Sequence, residues 1–355
     1  MEFKVIKTSN KSRARLGKLI LNSGIEIETP VFMPVGTLAT VKALTPDMLH
    51  QIGAKIILCN SYHLYLRPGM SVLEKFESVH SFMNWSGAIL TDSGGFQIFS
   101  LKALRTLEND GVVFNSHIDG SKHMLTPEKV IDIQNIIGSD IKMVLDDCVS
   151  YPASREAVEA ALKRTITWAR RSKDYYTKTQ SNGSLFSIVQ GGMHKDLRES
   201  CALQLINLDF DGYALGGLSV GEENELMYDI VHHTTDFLPE HKPRYLMGVG
   251  TPTDLEQCIH RGIDMFDCVL PTRNARNGML FTSEGSINIK RKEFDVDTQP
   301  IETGCTCYTC THFSRAYLRH LFKSKEILAS LLNSIHNVHF YFRSVEKIKD
   351  EIKSE

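Results

Sequence analysis

Three cysteines crowd together in Cys305-Thr306-Cys307-Tyr308-Thr309-Cys310, and His336 follows inside the apolar helical stretch 332–337. Three thiolates and one imidazole make a closed tetrahedral zinc site with no position left for water or substrate, so one such Zn2+ per chain is structural rather than catalytic. Its binding free energy would help fold the C-terminal segment. His312, His320 and His339 compete for the fourth position, and His336 reads alternatively as a hydrogen-bonded core histidine. The other five cysteines, Cys59, Cys201 and Cys258 among them, read as small buried apolar residues.

A second set of reactive groups is spread along the chain: Asp92, Asp146 with Asp147, Gln190-Gly191-Gly192, Gly216-Gly217, Gly248 with Gly250, and Asp267. Any one aspartate here reads more readily as a turn residue. Gathered at one mouth, they are hard to explain as turns. Like charges buried together raise the pKa of at least one carboxyl, which suits acid/base and nucleophilic work.

Each of these residues ends or follows a short apolar or β-branched run. The runs are 31–35, 55–59, 88–91, 142–145, 185–189, 212–215, 244–249 and 263–267. Helix-like stretches lie between several of them. One opens at Thr126-Pro127-Glu128, with Thr126 as N-cap and proline at the first helical position. Another, 154–172, places Ala157, Ala161, Leu162, Ile166 and Ala169 on one face. Alternating strand and helix implies parallel strands. Eight units fit a (β/α)8 barrel of the α/β class, whose strand C-termini converge on the active site; the alternative is a doubly wound open sheet.

The chain has 355 residues, 42% hydrophobic and 23% charged, with a net charge of −2. That is ordinary globular composition and is read as one domain, 1–355. With no basic excess, any contact with nucleic acid must come from local clusters. No apolar run reaches the roughly 18 residues of a membrane span. Met1-Glu2-Phe3-Lys4 lacks a leader pattern, so a cytoplasmic protein is expected, whose cysteines are not a disulfide framework.

Several motifs carry a resemblance. Thr91-Asp92-Ser93-Gly94-Gly95-Phe96-Gln97, Val189-Gln190-Gly191-Gly192, Leu215-Gly216-Gly217-Leu218-Ser219-Val220-Gly221-Glu222 and Met265-Phe266-Asp267-Cys268-Val269-Leu270-Pro271-Thr272-Arg273 resemble signature segments of bacterial tRNA-guanine transglycosylases. Asn60-Ser61-Tyr62-His63-Leu64, Arg67-Pro68-Gly69 and the cysteine–histidine set match that family as well. The resemblance implies an irregular (β/α)8 TIM barrel with a C-terminal zinc-binding subdomain, 290–345. It implies exchange of the wobble guanine of U-G-U anticodon-loop tRNAs for preQ1, in queuosine biosynthesis, by chemistry like that of a retaining glycosidase.

By the same resemblance Asp267 is the nucleophile and Asp92 the general acid/base. Asp146, Gln190, the Gly217 amide and Leu218 form the base site, with Phe96 and Met247 sandwiching the base. Cys148 and Val220 match the bacterial pattern, which implies that queuine is poorly used. Arg273 and Arg276 contact the anticodon loop. Lys290-Arg291-Lys292, Arg315, Arg319, Lys323 and Lys325 either hold the tRNA backbone or form a solvated face. A homodimer with the zinc region near its contact is implied too. The chain departs from many relatives at Asp147 (glutamate there), Phe96 (tyrosine) and Thr251 (lysine). Two rival readings are a non-catalytic tRNA-binding subunit, which would lack Asp92 and Asp267, and a metal-dependent hydrolase built on Asp146-Asp147, which would need further ligands.

Overall fold

The computed structural model describes residues 1–100 and 105–355. All eight expected runs are strands: β1 (Val31–Gly36), β2 (Ile56–Cys59), β3 (Ala88–Thr91), β4 (Ile141–Met143), β5 (Ser184–Val189), β6 (Gly212–Leu215), β7 (Arg244–Leu246) and β8 (Met265–Cys268). Each pairs in parallel with its sequence neighbours, and β8 returns to β1 through Met265↔Val31, Phe266↔Phe32 and Asp267↔Met33, closing the barrel. The doubly wound alternative is thereby excluded, because an open sheet leaves its edge strands unpaired. Strand β7 stops before the expected residue 249, where Gly248 turns the chain at φ 70°.

Crossover helices cover the barrel. Helix Pro127–Ile137 starts as its sequence dictates: the Thr126 hydroxyl accepts from Lys129 N at 3.2 Å, and proline needs no donor at the first position. Helix Arg155–Lys178 is capped by Ser154 and buries Val158, Ala161, Leu162, Ile166 and Ala169. Ala157, expected on that face, is exposed, and Val158 holds the inward place. Each such aliphatic side chain contributes about 1.5–3 kcal/mol when fully buried, alanine less.

Three antiparallel additions make the barrel irregular. A sheet of Glu2–Thr8, Arg15–Ile20 and Glu26–Thr29 precedes it, and a second, of Arg105–Glu108, Gly111–Asn115 and Lys122–Leu125, is inserted between β3 and β4. A hairpin of Met279–Thr282 and Gly285–Asn288 follows β8. The first sheet closes the N-terminal end of the barrel through Arg15, whose guanidinium reaches Asp264 at 2.9 and 2.7 Å and the carbonyls of Glu240 and Lys242. The opposite, C-terminal end is therefore the one left for a site. Helix Ile327–Ser354 packs along the segment after β8, including helix Leu270–Arg276.

Candidate active site

At the C-terminal ends of the strands lies a cavity of about 320 Å³, within the usual range for a small-molecule site. Asp92, Phe96, Asp146, Cys148, Gly217, Leu218, Val220, Met247 and Asp267 all line it. Residues scattered over 176 positions of sequence are thus gathered by strand closure alone.

Asp267, on β8, is buried. Its Oδ1 accepts from the Tyr245 hydroxyl at 2.5 Å and from the Gly248 amide at 2.7 Å. Gly248 presents that amide from a left-handed conformation, which costs glycine little. No donor among the described residues engages Oδ2, so one oxygen is held and the other is available. Burial pushes the Asp267 carboxyl up to about 6, and the nearby charge of Asp92 adds to this, against the lowering effect of the two hydrogen bonds.

Asp92, at the end of β3, is the opposite case, with both oxygens surrounded. Oδ1 accepts from the Ser61 amide (3.0 Å), the Ser61 hydroxyl (3.3 Å) and the Gly94 amide (3.2 Å); Oδ2 accepts from Asn60 and from Gln97 at 2.9 Å. Burial still outweighs these donors and raises its pKa above the ordinary carboxylate value. Two carboxyls with different surroundings in one cavity suit different roles, one an acid/base and one a nucleophile.

Asp146 accepts from Gln190 Nε2 at 2.8 Å and from the Ser93 hydroxyl at 3.2 Å. Burial pushes it up to about 6 as well, helped by the adjacent charge of Asp147. Gln190 stands behind Asp146 rather than on the cavity wall, and its Oε1 is buried without a partner. Gly217, at φ 65°, must be glycine: a Cβ there would sit 2.5 Å from that Oε1.

Phe96 is half exposed on helix Gly95–Ser100, at the mouth of the cavity. Arg273 is exposed on helix Leu270–Arg276; Arg276 is half-buried, its Nε donating to the Thr272 carbonyl at 3.1 Å. Both lie outside the cavity lining. Of the more distant cations, Arg315 is engaged by Asp297 and the Ile301 carbonyl, and Arg319 by Asp295 and the Arg291 carbonyl. Lys323 and Lys325 are exposed.

The departures find local accounts. Asp147 turns outward to Arg164, at 2.7 and 2.8 Å, and fastens β4 to helix Arg155–Lys178. Thr251 caps helix Pro252–Ile259 in a reciprocal box with Asp254. Tyr245, Asn60 and Gln97, whose side chains hold Asp267 and Asp92, are residues that sequence reasoning did not assign a role. Tyr245 left a signal: a tyrosine in the middle of a barrel strand needs a partner for its hydroxyl.

Cys305, Cys307, Cys310 and His336 are all buried, their ligand atoms within 4.8 Å of one another. His336 Nδ1 stands 3.9, 3.6 and 3.3 Å from the three sulfurs. Tetrahedral zinc with thiolate and imidazole bonds requires edges of roughly 3.5–3.8 Å, so the donor set fits one metal ion. His336 Nε2 lies 2.7 Å from the Phe281 carbonyl, which orients the ring with Nδ1 toward the cysteines. Of the competing histidines, His339 approaches Cys305 alone, at 3.8 Å, and His312 turns to Thr311 and the Tyr308 carbonyl.

Residues 9–355 match the family described as queuine tRNA-ribosyltransferase. Relatives carrying that name include one from Caldanaerobacter subterraneus subsp. tengcongensis, 57% identical over 355 residues, which are 100% of this chain and 94% of the relative. Another, from a Thermoanaerobacter species, is 56% identical over 355 residues with the same coverage. A third, from Lawsonia intracellularis, is 57% identical over 338 residues, 95% of this chain and 91% of the relative. With strands, cavity and match in agreement, the chain belongs to the queuine tRNA-ribosyltransferase family and is a pentosyl-transferring enzyme.

Proposed function

We propose that this enzyme exchanges the wobble guanine of tRNAs with a U-G-U anticodon-loop sequence for preQ1, through a covalent aspartyl-ribose intermediate, as a step of queuosine biosynthesis. The observation that carries the reading is the asymmetry of Asp267, with Oδ1 fixed by Tyr245 and Gly248 and Oδ2 unengaged. In the first half-reaction Oδ2 bonds to ribose C1′ as the bond from C1′ to guanine breaks, the electron pair leaves with the base, and Asp92 supplies a proton to it. In the second, the incoming base attacks C1′, the bond to Oδ2 breaks, and Asp92 takes up the proton the base loses.

Asp146 accepts from the donor edge of the base, Gln190 orients Asp146, and the Gly217 amide meets the base oxygen. A polar group left unpaired here would cost about 1–3 kcal/mol, which is the source of base choice. Phe96 and Met247 sandwich the ring, and Leu218, Cys148 and Val220 bound the space beside it. Arg273 and Arg276 contact the neighbouring anticodon-loop nucleotides.

Zinc is the metal the Cys305, Cys307, Cys310 and His336 set best fits. Four protein ligands leave it no open position, so its role is to hold the 290–345 subdomain in place. The partly exposed Tyr308, Tyr317 and Leu328 and the exposed Ile327 supply an apolar face near that subdomain for a homodimer. No helix among the described residues is long and apolar enough to cross a membrane, in keeping with a cytoplasmic enzyme acting on tRNA.

The test is incorporation of labelled guanine into a U-G-U tRNA by wild type and by Asp267→Ala, with a denaturing gel of quenched reactions. Label with wild type alone, and a retarded protein–RNA band lost in the variant, is the expected result. Exchange by the variant, or none by zinc-loaded wild type, overturns the reading.

A further inference from the structure

Gln190 reaches Asp146 from a loop, and a buried cation holds that loop from behind. Strand β5 ends at Val189, the chain runs on through Gln190, Gly191 and Gly192, and helix Lys195–Ile206 follows. Arg198, near the start of that helix, is fully buried and lies outside the cavity lining. Its Nη1 donates to the Val189 carbonyl at 2.8 Å and its Nε to the Gly192 carbonyl at 2.9 Å, so one guanidinium grips the loop on both sides of Gln190. Further along the helix, Cys201 Sγ accepts from the Gln190 amide at 3.4 Å. The loop lies directly on the helix backbone: a Cβ on Gly191 would stand 2.7 Å from the Arg198 amide nitrogen.

The arrangement is costly. Arg198 Nη2 is buried without a hydrogen-bond partner among the described residues. Burial pushes the guanidinium down to about 10, against the opposing influence of Cys201, Cys148 and Glu222. An unbranched apolar side chain would fill the same space without a buried charge and an unpaired donor. What the guanidinium adds is geometry, a rigid fork that fixes both carbonyls at once. With its main chain so fixed, Gln190 meets Asp146 through Nε2 at 2.8 Å. The Val189 carbonyl also accepts from the Gly216 amide at 3.1 Å, so the same grip ties the Gln190 loop to the Gly216-Gly217 turn.

We propose that Arg198 is a positioning residue for base choice: through the Val189 and Gly192 carbonyls it fixes Gln190, and Gln190 fixes the Asp146 carboxyl against the donor edge of the base. The inference rests on the base-exchange reading and deepens it, giving a residue that touches no base a share in base discrimination.

The experiment measures kcat and KM for labelled guanine and for labelled hypoxanthine, the purine that lacks the 2-amino group, with one U-G-U tRNA. The enzymes are wild type, Arg198→Met, Arg198→Lys, Gln190→Met and the double variant Arg198→Met/Gln190→Met, each checked for fold by circular dichroism. For Arg198→Met the KM for guanine should rise about tenfold with kcat within about threefold, and the preference for guanine over hypoxanthine should fall about tenfold. In the Gln190→Met background the same substitution should change either quantity less than about twofold. Arg198→Lys keeps the charge but cannot span both carbonyls, so it should lose about threefold of the preference; it carries the test if Arg198→Met does not fold. A purely structural Arg198 would lower stability and leave the preference unmoved. An unchanged preference in the folded Arg198 variants, with exchange by wild type intact, overturns the inference alone, and so does an additive loss in the double variant. Absence of exchange by zinc-loaded wild type overturns the functional reading and the inference with it.

Discussion

The barrel mouth and the cysteine–histidine group both bury ionisable side chains, and they treat the charge in opposite ways. At the mouth, Asp92, Asp146 and Asp267 keep raised pKa values and face a cavity, and Asp267 holds one oxygen in reserve. At the C-terminal group, three sulfurs and one imidazole nitrogen converge on a single point and leave nothing over. The first arrangement leaves carboxyls facing a cavity at a cost in stability; the second, with a metal bound, would contribute stability and leave no free ligand position. One helix connects them. Ile327–Ser354 carries His336 and also Asn337, whose side chain donates to the Pro271 and Met279 carbonyls at 3.0 Å and accepts from the Phe281 amide at 3.1 Å. Tyr341, on the same helix, donates to the Gly250 carbonyl. The cysteine–histidine group therefore sits behind the segment that leaves the strand carrying Asp267.

Removing the reactive oxygen gives the largest effect. Asp267→Ala should lower exchange by at least about a thousandfold without loss of fold, read by label incorporation and circular dichroism. Removing a metal ligand should act in the other currency: Cys310→Ser should cost about 4 kcal/mol or more of stability together with bound zinc, read by denaturant titration and metal analysis. If Cys310→Ser instead kept its stability and lost only turnover, the division between the two regions would fail.

The link between them comes next. Asn337→Ala leaves a buried amide and carbonyls unpaired and should cost about 2–4 kcal/mol, with exchange falling as Asp267 loses its rear support; an unaffected melting temperature would show that the helix does not carry the segment. Tyr245→Phe removes one of the two donors to Asp267 and should raise that carboxyl further, lowering kcat/KM at pH 6 about tenfold and less at pH 8.

The pH dependence separates cost from use. In the proposed mechanism Asp267 must be ionised to attack, so kcat/KM should fall as pH drops through about 6, with the aspartates titrating as a coupled set. Stability should run the other way. The folded value lies above that of the unfolded chain, so folding binds the extra proton between roughly pH 4 and 6 and loses stability as pH rises through that window. Asp267→Asn should then be more stable than wild type at pH 8, by about 1–3 kcal/mol, and equal to it below pH 4. The smallest effect concerns the incoming base: Val220→Gly opens the cavity wall and should narrow the preference for preQ1 over queuine by roughly tenfold. Equal kcat/KM for both bases in wild type would remove Val220 from base choice.

The eight strands, their parallel order and the residues at their ends were legible in the sequence, because period and breaker residues are local signals. So were Cys305, Cys307 and Cys310, whose spacing is itself the motif. The antiparallel additions were not read: the first strand of the N-terminal sheet, Glu2–Thr8, is mostly exposed, and the role of the sheet is visible only through Arg15 reaching Asp264. Nor was the outward turn of Asp147, since adjacent residues in a chain share a sequence context while facing opposite sides of a barrel wall.

By itself, then, the sequence determined which residue types stand at the strand ends and that a soft-ligand set exists near the C-terminus. Only the tertiary structure decided which oxygen of Asp267 is held, that Gln190 stands behind Asp146, and that His336 rather than His339 completes the metal group. The reason is physical. Strand propensity and ligand chemistry act over a few residues, whereas burial, donor geometry and the pKa they set depend on groups such as Tyr245 and Asp267, brought together by barrel closure from different strands.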